Sequence, residues 1–110
     1  MIHTKGLQFR KFDLHIHTPE SRDYRGGSVT PKQVVDAAIA SGMSAIAITD
    51  HQTAANVDAV VAAAKGTGLT VFPGVELMTS GGKVGIHINL LFDVDKTGTH
   101  IQQFLNSIGV

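Results

Sequence analysis

The chain has 110 residues, 43% of them apolar, which is enough for one domain with a real core, argues against disorder, and is small for a closed α/β barrel. Nine basic and nine acidic side chains cancel, so there is no electrostatic case for generic binding to DNA, RNA or membrane surfaces, although Arg10, Lys11, Arg22 and Arg25 flank a histidine pair and leave room for a local basic patch. Cysteine is absent; disulfides and thiolate zinc sites are excluded, and any metal must be held by nitrogen and oxygen.

The opening MIHTKGLQFRK has no signal-peptide apolar run, and no stretch approaches the ~20 apolar residues of a membrane span, so a cytoplasmic location and no membrane partner are expected. Phe12 to Ile16 reads as a strand. Its period of two points His15 and His17 the same way, about 6–7 Å apart, close enough for two imidazoles to share one ion. By itself an H-x-H pair is weak evidence, since chance or a pair of satisfied histidines explains most such cases. A polar loop, Pro19 to Ser28, follows.

Thr30-Pro31 is a helix start, a hydroxyl cap with proline at the first helical position. Val34, Val35, Ala38 and Ile39 then share one face, and Gly42 stands where a left-handed C-cap is expected. Ser44 to Thr49 is a continuous apolar run suited to a strand covered on both faces. Asp50 and His51 follow it: Asp50 as a ligand, as the orienter of one, or as a helix cap beside an incidental histidine.

Thr53 is placed to cap a second helix carrying Val57, Val60, Val61 and Ala64 on one face, closed by Gly66 and Gly68. Leu69 to Phe72 reads as a third strand stopped by Pro73-Gly74. Glu76 then falls in a loop, either as a surface carboxylate or as a bridge between two ions. Gly81-Gly82 marks a turn that can bring in one antiparallel pair. Val84 to Phe92 reads as a fourth strand. His87 sits there among Ile86, Ile88, Leu90 and Leu91, where its ring needs a partner, carbonyl or metal. Thr97 or Thr99 starts a last helix with Ile101, Phe104, Leu105 and Ile108 at helical spacing. His3 and His100 read as ordinary surface residues.

The order β-α-β-α-β-β-α implies mainly parallel strands with right-handed crossovers. Each candidate donor then lies at or near the carboxyl end of its own strand, where parallel α/β folds bind ligands. A domain without metal would need five coincidences at that rim.

The ordered set D-L-H-I-H-T, a polar loop with Ser21 and Asp23, I-T-D-H, P-G-V-E and I-H-I-N-L-L resembles the polymerase-and-histidinol-phosphatase (PHP) family from about residue 12 to residue 92. The resemblance implies a partial (β/α)7-type barrel with flanking helices, two or three divalent ions (zinc, manganese or iron) in a complete site, and hydrolysis of phosphate mono- or diesters on a phosphorylated small molecule or nucleotide. It also implies roles. His15 and His17 would hold one ion, Glu76 would bridge to a second held by His87, and His51 with Asp23 would hold a third. Asp50 would support catalysis. Position alone, on the loop after the histidine pair, makes Arg22 or Arg25 a candidate bidentate grip on phosphate, with a solvated loop the more ordinary reading of both.

The family pattern continues with a further histidine and an Asp-x-His in longer chains, and no Asp-x-His follows His87. Residues 1–110 are therefore expected to form one PHP-like domain, the first half of a longer barrel. Four strands leave an edge and an apolar face open, so a homodimer or a fragment of a larger chain is expected. The alternative to a phosphoesterase is a catalytically weak metal-binding or regulatory module of a larger protein such as an ATPase or polymerase.

Overall fold

The structure, a computed structural model, describes residues 9–20, 28–79 and 86–110. In chain order these form β1 (Phe12–Ile16), α1 (Pro31–Ala40), β2 (Ala45–Ile48), α2 (Val57–Ala64), β3 (Thr70–Thr79), β4 (Ile86–Leu91) and α3 (Gly98–Ser107). The turn expected at Gly81-Gly82 lies outside the described residues.

Local chemistry sets the helix ends. At α1 the Thr30 hydroxyl accepts from the Gln33 N–H and the Gln33 side chain accepts from the Thr30 N–H, a reciprocal capping box ahead of Pro31. Gly42 takes a φ of +80° just beyond the helix, where a β-carbon would be disfavoured. The expected Thr53 cap is corrected. Helix α2 begins after Asn56, and the Thr53 hydroxyl instead accepts from the Ala55 N–H in the preceding turn. Thr97, not Thr99, caps α3.

The sheet order is β1-β2-β3-β4, with β1, β2 and β3 parallel and β4 antiparallel to β3. All three helices contribute to one core. Val35 and Ala38 of α1, Val57 and Val60 of α2, and Ile101 and Leu105 of α3 meet Ile46, Ile48, Val71 and Val75 of the central strands. Full burial of Ile101 and Leu105 contributes ~1.5–3 kcal/mol each. Strand β2, with a strand on either side, is buried along its whole length. Because alternate residues face opposite ways, one face of each strand goes to the helices and the other is free to carry polar groups. The result is a curled, mostly parallel half-barrel with its helices on the outside. No described helix is long and apolar enough to cross a membrane.

Pro73-Gly74 does not stop β3, contrary to the expectation. Thr70 donates to the Ser44 carbonyl and Glu76 to the Asp50 carbonyl, so even-numbered residues of β3 turn their N–H groups towards β2. The donor that Pro73 lacks falls on the β4 side, beyond the last paired residues, Gly74 and Leu91. Gly74 is needed for a second reason. A β-carbon there would lie 2.9 Å from both the Ile48 and Leu90 carbonyl oxygens.

Candidate metal centre

Because β3 continues, Glu76 is a strand residue and not a loop residue. It is 3% exposed and opposite Asn89 of β4, with His51 bridged to it on the other side. Its carboxylate is the hub of the site. His15 Nε2 lies 2.9 Å and His17 Nε2 2.8 Å from Oε1; His87 Nδ1 lies 2.8 Å from Oε2; His51 Nε2 lies 3.6 Å from Oε1. An ionised carboxylate only accepts, so the three close nitrogens donate to it. The rings follow one another around the carboxylate, with centroids 5.0 Å apart for His15–His17, 4.6 Å for His17–His51 and 5.4 Å for His51–His87.

This surround decides the charge of the hub. Burial pushes the Glu76 carboxyl up. The hydrogen bonds from His15, His17 and His87, with the charge of His51, more than reverse it and hold the group at about 2, below its ordinary 4.5.

Each donor arrives by a different backbone device. Strand β1 pairs Asp13 with Ile46 but Ile16 with Ile48, so an extra residue is bulged out beside His15. The His15 N–H within that irregularity is taken by the Asp13 carboxylate at 3.2 Å. His51 ends the β2 path, and the next residue, Gln52, turns with a φ of +51°, its N–H held 2.9 Å from the Glu76 carbonyl. His87 lies near the start of β4 and not at a carboxyl end. The correction follows from topology: an antiparallel strand brings its amino end to the rim where parallel neighbours present their carboxyl ends.

Two groups of three donors could hold an ion, with ligand atoms within 4.8 Å of one another: His15, His17 and Glu76, and His51, Glu76 and His87. A buried carboxylate shared by several imidazoles fits divalent cations that accept nitrogen and oxygen ligands, each ion replacing the donated hydrogens.

The remaining expected site residues do not join this cluster. Asp50 is fully buried, and both its oxygens go to Thr18, accepting from the backbone N–H and, at 2.6 Å, from the hydroxyl. Burial pushes the Asp50 carboxyl up, the Thr18 hydrogen bonds and the His17 charge oppose this, and the net direction is upward. Arg22, Asp23 and Arg25 lie outside the described residues. A cavity of about 460 Å³ near the amino ends of β1 and β3, lined by Phe12, Ala45, Thr70 and Phe72 among others, includes none of the donors. Reading the sequence overlooked Asp13 and Thr18. Their only signal was position, two residues before the first histidine and one after the second.

Fold and site together define an open α/β half-barrel with a histidine–glutamate centre at one rim. The chain belongs to the PHP domain family, whose model matches residues 13–108. It is 37% identical over 98 residues to a 5'-3' exoribonuclease of Haemophilus influenzae, covering 89% of this chain and 34% of that protein. It is 36% identical over 76 residues to a 3',5'-nucleoside bisphosphate phosphatase of Chromobacterium violaceum, covering 69% and 25%.

Among solved structures it resembles an amidohydrolase from Chromobacterium violaceum with sulfate bound and no metal. That match has a TM-score of 0.69 and 32% identity, over 89% of this chain and 33% of the other. A protein described as a metal-dependent phosphoesterase from Bifidobacterium adolescentis superposes with a TM-score of 0.68 at 28% identity, over 89% and 32%. The chain thus spans about a third or less of the length of the relatives it matches.

Proposed function

We propose that this chain supplies the metal-binding wall of a metal-dependent phosphoesterase acting on phosphorylated small molecules or nucleotides. The observation that carries the reading is the shared Glu76 carboxylate, with three imidazole nitrogens at 2.8–2.9 Å and a fourth at 3.6 Å. Bound divalent ions would polarise a phosphoryl oxygen and lower the pKa of a water towards ~7. The chain's own part is to hold charge and geometry. Glu76 stays ionised and bridges the two donor groups. His15 and His17 close one group, and His51 and His87 close the other. Each group offers three protein donors among the described residues, which leaves coordination positions for water or phosphate, as in catalytic rather than structural sites.

Zinc, manganese and iron all suit this donor set. Asp23 is the candidate for an additional ligand, and Arg22 for the phosphate grip. The relatives named as exoribonuclease and nucleoside bisphosphate phosphatase support a nucleotide-like substrate. We further propose that the missing barrel wall and further donors come from protein outside these 110 residues or from a second copy. The exposed apolar side chains of edge strand β4, Ile86, Ile88 and Leu91, support a covered edge.

The alternative is a catalytically weak metal-binding or regulatory module of a larger protein, which would use the same donors. Metal analysis of untagged protein, with a chromogenic phosphate ester assayed in Mn²⁺ or Zn²⁺, separates the two. The phosphoesterase reading expects bound ions and turnover that His17→Ala removes. Ions without turnover would leave the module. No bound ion, and no turnover that His17→Ala changes, would reject both.

A further inference from the structure

We propose that Thr18 and Asp50 form a side-chain rung that sets the spacing of His17 and His51, making Thr18 a positioning residue of the metal centre. The inference rests on the ion-binding reading above and extends it to residues outside the ligand set.

The backbone ladder between β1 and β2 ends at the hydrogen bond from the Thr49 N–H to the Ile16 carbonyl, 2.8 Å. A continuing parallel ladder would next place the Thr18 N–H on a β2 carbonyl. Here β2 has already swung towards β3, where His51 bridges Glu76 and the Asp50 carbonyl accepts from the Glu76 N–H at 3.0 Å. The Asp50 carboxylate takes the place of that carbonyl. It accepts the Thr18 N–H on Oδ1 and the Thr18 hydroxyl, 2.6 Å away, on Oδ2. The Thr18 hydroxyl in turn accepts from the Glu20 N–H at 3.3 Å.

Both partners are fully buried, so neither finds water as a substitute. Each is covalently next to a donor, Thr18 to His17 and Asp50 to His51, whose rings are the closest neighbouring pair in the cluster at 4.6 Å. A two-point contact between adjacent residues leaves the strand exits little freedom to slide. Without it, His17 and His51 would depend on their own hydrogen bonds to Glu76.

The test is ion binding at neutral pH by the whole chain and by Thr18→Val, Thr18→Ser and Asp50→Asn. It uses Zn²⁺ titration calorimetry, the visible spectrum of the Co²⁺-loaded chain, and the melting temperature without ions. Thr18→Val should weaken Zn²⁺ binding about 10–100-fold, the range for residues that orient ligands, and alter the Co²⁺ bands. Thr18→Ser, which keeps the hydroxyl, should restore both. Asp50→Asn, which keeps an acceptor for the Thr18 N–H, should fall between them and serves if the valine variant does not fold. A valine or asparagine variant that melts lower yet binds Zn²⁺ with unchanged affinity and Co²⁺ bands would overturn the proposal, leaving the contact structural. A parent chain that binds no ion would defeat the metal reading itself, and the rung's role with it.

Discussion

At the scale of single residues, the site is organised by one carboxylate, and its protonation gives a signed prediction. The folded Glu76 carboxyl sits at about 2 against an ordinary 4.5. A depressed carboxyl contributes stability that is present in full above the ordinary value and lost as pH falls through the folded one. Chemical-denaturation midpoints of the ion-free chain should therefore decline between about pH 4.5 and 2, and Glu76→Gln should flatten that decline. Asp50 carries the opposite sign. Its carboxyl is raised, so its ionised form weighs against folding at neutral pH and protonation relieves it. Asp50→Asn should therefore remove the loss of stability that ionisation of Asp50 brings to the ion-free chain as pH rises from acid to neutral.

Asp13 makes a third residue-scale case. Its carboxylate caps the N–H that the β1 bulge leaves beside His15. Asp13→Ala should weaken ion binding by about tenfold at the group containing His15 and leave the group containing His87 nearly unchanged. Two-site calorimetry reads both at once. This Asp13 partnership was not legible from residue types, because a carboxylate two positions from a histidine is compatible with a solvent-facing strand.

At the scale of elements, the sequence was most informative where the determining contact is local. The Thr30–Gln33 capping box, the proline after it and the left-handed Gly42 are all short-range devices, and each appears where its residue types place it. Reading failed at β3, where Pro-Gly is a turn signal in isolation but a tolerated pair at the end of a ladder. Gly74→Ala tests the packing side of this. Its β-carbon would meet two backbone oxygens at 2.9 Å that cannot turn away, so a loss of ~1–3 kcal/mol is expected in urea denaturation.

His100, which reads as a plain surface residue, is the element-scale surprise at α3. Its Nδ1 accepts the Thr97 N–H at 3.0 Å and completes the helix start. His100→Ala should cost ~0.5–2 kcal/mol, as other cap losses do, while His100→Gln, with an acceptor at the end of its side chain, should cost less.

At the scale of the whole molecule, the helices cover one face of the sheet and leave both edge strands exposed. Ile86, Ile88 and Leu91 on β4, with Phe12 and Leu14 on β1, are from 37% to 55% exposed, more apolar surface than a free sheet edge keeps without a partner or a penalty in solubility. Light scattering should find the isolated chain above its single-chain mass of 11.6 kDa, and Ile88→Lys should shift it towards that mass.

Alternation of apolar runs with turn residues was enough, without coordinates, to order the seven elements, to mark the helix start at Thr30 and narrow the last one to Thr97 or Thr99, and to single out the four histidines and the glutamate that form the cluster. Those features depend on side-chain period and local hydrogen bonding, which are properties of adjacent residues. Tertiary structure alone decided that β3 passes through Pro73-Gly74, that antiparallel β4 delivers His87 from its amino end, that the bridging Glu76 is a buried strand residue, and that Asp50 answers Thr18. Each of these depends on which strand lies beside which. That choice is settled by the burial of one shared core between residues far apart in the chain.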